Sequence, residues 1–179
     1  MSRHLSRVAT FALLVALLAT TAFAEPLVDT LDNGCRVVVE EDHSRPVAAL
    51  RVYVGVGSAL EGRWLGAGMT HFLEHTIDQG TPTRSARDIA DLIESLGNSS
   101  NAYTTHDHTC YYITTPGAMI GQAIELYADF ILHPTLPATE VETQRGIILR
   151  EMAMVDDDPG RVIYDLFAET MFLQHPHRY

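Results

Sequence analysis

From Val47 to Val56 the chain alternates, with Leu50, Val52, Val54 and Val56 on one face, which predicts a strand covered on one side. Cys35 to Glu40 reads as a shorter strand before it. An apolar segment from about Leu65 to Ile77 predicts a helix. Ser85-Ala86-Arg87-Asp88 resembles a capping box, and Ile89, Leu92, Ile93 and Leu96 follow at helical spacing until Gly97 ends the helix. Asn101–Thr105 and Thr109–Thr115, rich in Thr and Tyr, predict a hairpin turning near Asp107, and Pro116-Gly117 breaks its second strand. Ile120, Ile124, Tyr127 and Ile131 form the stripe of another helix. Pro137 opens one that carries Val141, Ile148, Glu151 and Val155. Asp158-Pro159 caps a last helix with Ile163, Leu166, Phe167 and Met171 expected inward. The sum is an α+β fold, an antiparallel or mixed β-sheet with helices packed on one face.

The first 24 residues stand apart. Arg3 and Arg7 precede an apolar run from Val8 to Thr21, and Ala22-Phe23-Ala24 has the small-x-small form of a cleavage site. The run is too short for a membrane span and reads as a signal peptide, so residues 25–179 are expected as an exported domain, periplasmic or secreted, with no stable membrane association after cleavage. Loss of Arg3 and Arg7 takes the net charge from −11 to −13. All twelve basic residues are arginine. Such an acidic chain is a poor nucleic-acid binder, and it favours basic or neutral peptides over acidic ones. Cys35 and Cys110 lack the spacing of a redox pair or a cysteine zinc site; export permits a disulfide, but two small buried thiols packing as hydrophobes are the favoured reading.

The densest chemistry lies in His71-Phe72-Leu73-Glu74-His75. Positions i and i+4 share a helix face, so two neutral imidazoles project together as half of a zinc site. Glu74 lies beside that face, placed to take a proton from a water that the metal activates. The order H-x-x-E-H is the inverted zincin pattern. By itself the pentapeptide also fits an amphipathic helix with two partly buried histidines and an exposed glutamate. A hydrolytic site needs a third protein ligand and one open position. Glu151, on a later helix, is a candidate, although spacing alone does not bring the two helices together. His106-Asp107-His108 reads as turn chemistry at the hairpin tip, and His175 and His177 support no assignment.

Further blocks surround the pentapeptide: Leu31-Asp32-Asn33-Gly34 before the first strand, Val54-Gly55-Val56-Gly57-Ser58, Gly68 through His75 with Gly80-Thr81 after it, Asn101-Ala102-Tyr103-Thr104-Thr105, Thr109-Cys110-Tyr111-Tyr112, Arg145 through Glu151, and Asp157-Asp158-Pro159. In this order and at these separations the chain resembles the pitrilysin/insulinase family of zinc peptidases, which includes the mitochondrial processing peptidases. The resemblance covers nearly everything after residue 25. It implies one Zn2+ held by His71, His75 and Glu151, with Glu74 as the catalytic base. It implies that Asn101-Ala102 lie in a strand that pairs with extended peptide substrate. Many active members carry a second glutamate seven residues before the third ligand; here it is Gln144, which shares the face of Glu151 and keeps hydrogen bonding without the charge. Family members continue well beyond residue 179, so the chain is expected to be C-terminally incomplete. It would work with its missing C-terminal half or with a homologous partner subunit. The resemblance thus predicts a metalloendopeptidase acting on peptides or short unfolded proteins. The alternative is a non-catalytic or weakly active peptide-binding partner of such an enzyme.

Overall fold

The computed structural model describes residues 25–97 and 99–178; the expected leader over residues 1–24 lies outside them. Two compact units divide at Arg45. In the first, β1 (Leu27–Thr30) and β2 (Arg36–Val39) form an antiparallel hairpin with Leu27 opposite Val39 and Thr30 opposite Arg36. Its turn is closed by Gly34 N–H donating to the Leu31 carbonyl (2.8 Å) and Cys35 N–H donating to Asn33 Oδ1 (3.0 Å). Gly34 sits at φ +84°, a left-handed conformation that glycine adopts without steric cost.

The second unit is built on a three-stranded antiparallel sheet of β3 (Val47–Val54), β4 (Ser100–Thr104) and β5 (Thr109–Pro116), in the order β3-β5-β4. Leu50 faces Ile113, and Ala102 faces Tyr111. The expected hairpin is present, and its tip is held by side chains: Thr105 Oγ1 donates to Asp107 Oδ1 (2.8 Å), and His108 Nδ1 lies 2.7 Å from the same oxygen. The His106-Asp107-His108 triplet is therefore turn chemistry. Gly57 abuts this tip, and a Cβ there would overlap the backbone of Thr105 and Asp107. Strand β3 ends two residues short of the alternating pattern, because Val56 N–H turns back to the Val54 carbonyl (2.8 Å).

The helices are α1 (Met69–Thr76), α2 (Ala86–Ser95), α3 (Ile120–Leu132), α4 (Ala138–Asp156) and α5 (Pro159–Met171). The capping box is formed at α2: Ser85 Oγ accepts from Asp88 N–H and the Asp88 carboxylate accepts from Ser85 N–H. Ile89 and Leu96 from this stretch join Ile77, Tyr111, Ile113, Ala123, Leu126, Tyr127 and Phe130 in the core, with Leu50, Val52 and Val54 packed against it. The sheet thus carries its helical cover on one face. On the other, Cys110 is buried in register between Tyr53 and Tyr103. Both cysteines are free thiols; Cys110 is buried as expected, but Cys35 is exposed, because it sits at the turn of the first hairpin.

Three further expectations need correction. The metal-helix segment is not helical from Leu65: Gly66 (φ +84°) and Gly68 (φ +71°) adopt left-handed conformations that delay the α-helix to Met69. In α3 the buried stripe is Ala123, Leu126, Tyr127 and Phe130, while Ile124 is exposed. That helix is apolar over most of its circumference, so its pattern does not define a unique phase. In α5 the inward face is not buried, since Ile163, Leu166, Phe167 and Met171 are all exposed and only Ala168 is buried. Nothing among the described residues covers them. No helix among the described residues is long and apolar enough to cross a membrane.

Candidate metal centre

Helix α1 is set by its surroundings before its first turn. Gly68 supplies the left-handed entry, and the Glu61 carboxylate accepts from Gly68 N–H (3.2 Å), Thr70 N–H (2.8 Å) and Thr70 Oγ1 (2.8 Å). A carboxylate there satisfies amide donors that have no partner within the helix and complements its positive end. Sequence reasoning missed Glu61, because it reaches the helix from an earlier 3-10 turn rather than from the capping position itself.

Beyond this anchor His71 and His75 project from one face, their Nε2 atoms 3.2 Å apart and their rings edge to face. Helix α4 packs against α1 and brings Glu151 to the same point. Glu151 Oε2 lies 3.8 Å from His71 Nε2 and 3.4 Å from His75 Nε2. The three donors lie within 4.8 Å of one another. A tetrahedral zinc with bonds of about 2.0–2.1 Å spaces its ligand atoms by roughly 3.3 Å. The observed edges fit that figure, and two imidazoles with one carboxylate are a donor set zinc accepts. His75 is mostly buried, whereas His71 and Glu151 are each 43% exposed, which leaves a side of the triad open to solvent and ligand.

Glu74 stands beside the triad. Thr104 Oγ1, on β4, donates to its Oε2 at 2.5 Å. Thr104 was not anticipated either; only the pairing of β4 with β5 and the packing of α1 on β4 bring it there. Glu74 and His75 open onto a cavity of about 400 Å³ that also touches Asp78, Asn101, Tyr111 and Gln144. Asn101 and Ala102 lie on β4, an edge strand of the sheet, with Asn101 Oδ1 accepting from Ala102 N–H (2.9 Å). Gln144 forms part of the cavity wall and, among the described residues, makes no hydrogen bond to His75 or Glu151.

The family model described as Insulinase (Peptidase family M16) matches residues 36–178. The chain belongs to this family. An uncharacterized zinc protease of Mycobacterium tuberculosis is 44% identical to this insulinase-family chain over 147 residues, covering 82% of the chain and 33% of that relative. A crystal structure of a protease from Helicobacter pylori superposes with a TM-score of 0.79 at 28% identity, over 87% of this chain and 37% of that one. A Pseudomonas fluorescens structure titled as an inactive domain of peptidase M16 superposes with a TM-score of 0.76 at 19% identity, over 87% and 38%. That last likeness is one of fold alone, and it shows that the insulinase-family fold is found in a domain described as inactive. The chain spans about a third of the length of the curated relatives it matches.

Proposed function

We propose that this insulinase-family chain carries the metal and base residues of a zinc metalloendopeptidase that cleaves peptides or short unfolded proteins. The single observation behind this reading is the convergence of His71, His75 and Glu151 at tetrahedral spacing with Glu74 adjacent. Zinc held there supplies Lewis acidity to a water and to the carbonyl it attacks. The chain's own residues do the rest. Glu74 takes the proton of the attacking water and returns it to the leaving amine nitrogen. Thr104 occupies Glu74 Oε2 and leaves Oε1 for that proton. The edge strand β4, with Asn101 and Ala102, offers its backbone to an extended peptide, which holds many sequences by main-chain pairing. Gln144 takes a place in the adjoining wall, where its amide adds no charge.

The relatives' greater length supports a working enzyme that includes a second half, covalent or supplied by a partner chain. The basic, apolar and small-residue succession of residues 1–24 supports export. The deciding experiment uses the intact protein. Bound zinc is measured together with cleavage of unstructured peptides by wild type and Glu74→Gln. The expected result is one zinc per chain in both proteins and a rate at least a hundredfold lower in the variant. A zinc-loaded variant that cleaves as fast as wild type defeats the mechanism.

A further inference from the structure

The cavity beside the metal triad has chemistry that its position alone does not explain. Its lining includes Ile93 and the edges of the buried core residues Tyr111, Tyr127 and Phe130. Two of its lining residues are acids, Glu74 and Asp78, and none is an arginine. Asp78 lies one turn beyond Glu74, just past the end of α1. Gln79 Nε2 donates to Asp78 Oδ1 (2.6 Å), and Oδ2 accepts no hydrogen bond among the described residues. Burial pushes the Asp78 carboxyl above the usual carboxylate range, the Gln79 hydrogen bond opposing it and the nearby Glu74 adding to it. A half-buried carboxylate is stabilised by a cation that reaches it.

We propose that Asp78 makes this cavity a specificity pocket for a basic side chain, arginine above all, on the substrate residue flanking the scissile bond. The inference rests on the peptidase reading above and adds the substrate class. Glu74 and His75 line the same cavity, so a side chain seated in it belongs to a residue at the point of cleavage. An arginine side chain suits the space in two ways. Its aliphatic stem packs along the half-buried Ile93, and its guanidinium meets the Asp78 carboxylate. About 400 Å³ accommodates a side chain of that size. Tyr127 does not compete for Asp78, because its hydroxyl donates to the Tyr112 carbonyl (2.8 Å) and lies 2.7 Å from Ser100 Oγ.

The test compares quenched fluorescent peptides identical except at the two residues flanking the cleaved bond, which are set in turn to arginine, its neutral isostere citrulline, leucine or glutamate. The intact wild-type protein is expected to cleave an arginine peptide at least tenfold better in kcat/KM than its citrulline counterpart, and to cleave glutamate peptides worst. Asp78→Asn is expected to bring the arginine to citrulline ratio to about one with zinc content and melting temperature retained. A wild-type ratio near one overturns the specificity assignment while leaving the peptidase reading standing. A preference for arginine that survives Asp78→Asn assigns the selectivity elsewhere and also overturns it. Cleavage of none of the peptides by zinc-loaded protein overturns both.

Discussion

Helices α3 and α5 have the same length, thirteen residues each, and both present apolar side chains at helical spacing. Their fates differ. Helix α3 lies on β3 and β5 and buries Ala123, Leu126, Tyr127 and Phe130. Helix α5 touches α4 and the 3-10 turn Pro176–Arg178, and it leaves Ile163 70% and Phe167 58% exposed. Amphipathic periodicity announces a face that gains from burial, but only a partner surface collects that gain. The contrast runs through the candidate metal centre itself. His71 and His75 stand on α1, which packs on β4 at the sheet. Glu151 stands on α4, which has no fully buried residue. The proposed metal site therefore joins a well-packed region to a sparsely packed one.

The sharpest way to break this contrast is to delete one large ring from each side. Phe130→Ala is expected to destabilise by about 3–5 kcal/mol through lost burial and a residual cavity. Phe167→Ala in the same chain is expected to change stability by less than about 1 kcal/mol. Equilibrium urea unfolding of the two variants measures the difference, and equal losses would mean that α5 is packed as tightly as α3. Zinc comes next. At a hundredfold excess over its dissociation constant a ligand of the folded state adds about 2.7 kcal/mol. Hydrogen exchange should show zinc slowing α4 much more than α3, since Glu151 is the proposed ligand whose helix is held least. The effect should vanish in His75→Ala. The smallest expected change is at a cap: Ser85→Ala removes an acceptor for Asp88 N–H at the start of α2 and should cost about 1 kcal/mol in a thermal melt, with the metal site unaffected.

Much of this molecule is legible in local pattern. The capping box at Ser85, the hairpin around Asp107 and the alternation of β3 are short-range features. Their physics involves residues a few positions apart, and the structure has all three. Thr104 and Glu61 were invisible because each acts across a gap in sequence: Thr104 reaches Glu74 over 30 residues, and Glu61 reaches Thr70 from outside the helix. Asp78 is inconspicuous in the sequence for a different reason. Nothing in Thr76-Ile77-Asp78-Gln79 distinguishes it from an ordinary surface acid until the cavity shows what surrounds it.

His71, Glu74 and His75 share a helix, so their common face follows from 3.6 residues per turn, and the sequence alone determines it. The order of strands and helices from Val47 to Met171, and with it the α+β class, is likewise determined by periodicities that each segment carries for itself, whereas β1 (Leu27–Thr30) showed no such pattern. The arrival of Glu151 at the two imidazoles, the burial of α3 against the exposure of α5, and the enclosure of Asp78 beside Glu74 were decided only in three dimensions. Each depends on which surfaces meet. That outcome comes from the packing of whole elements, and no short window of residues contains it.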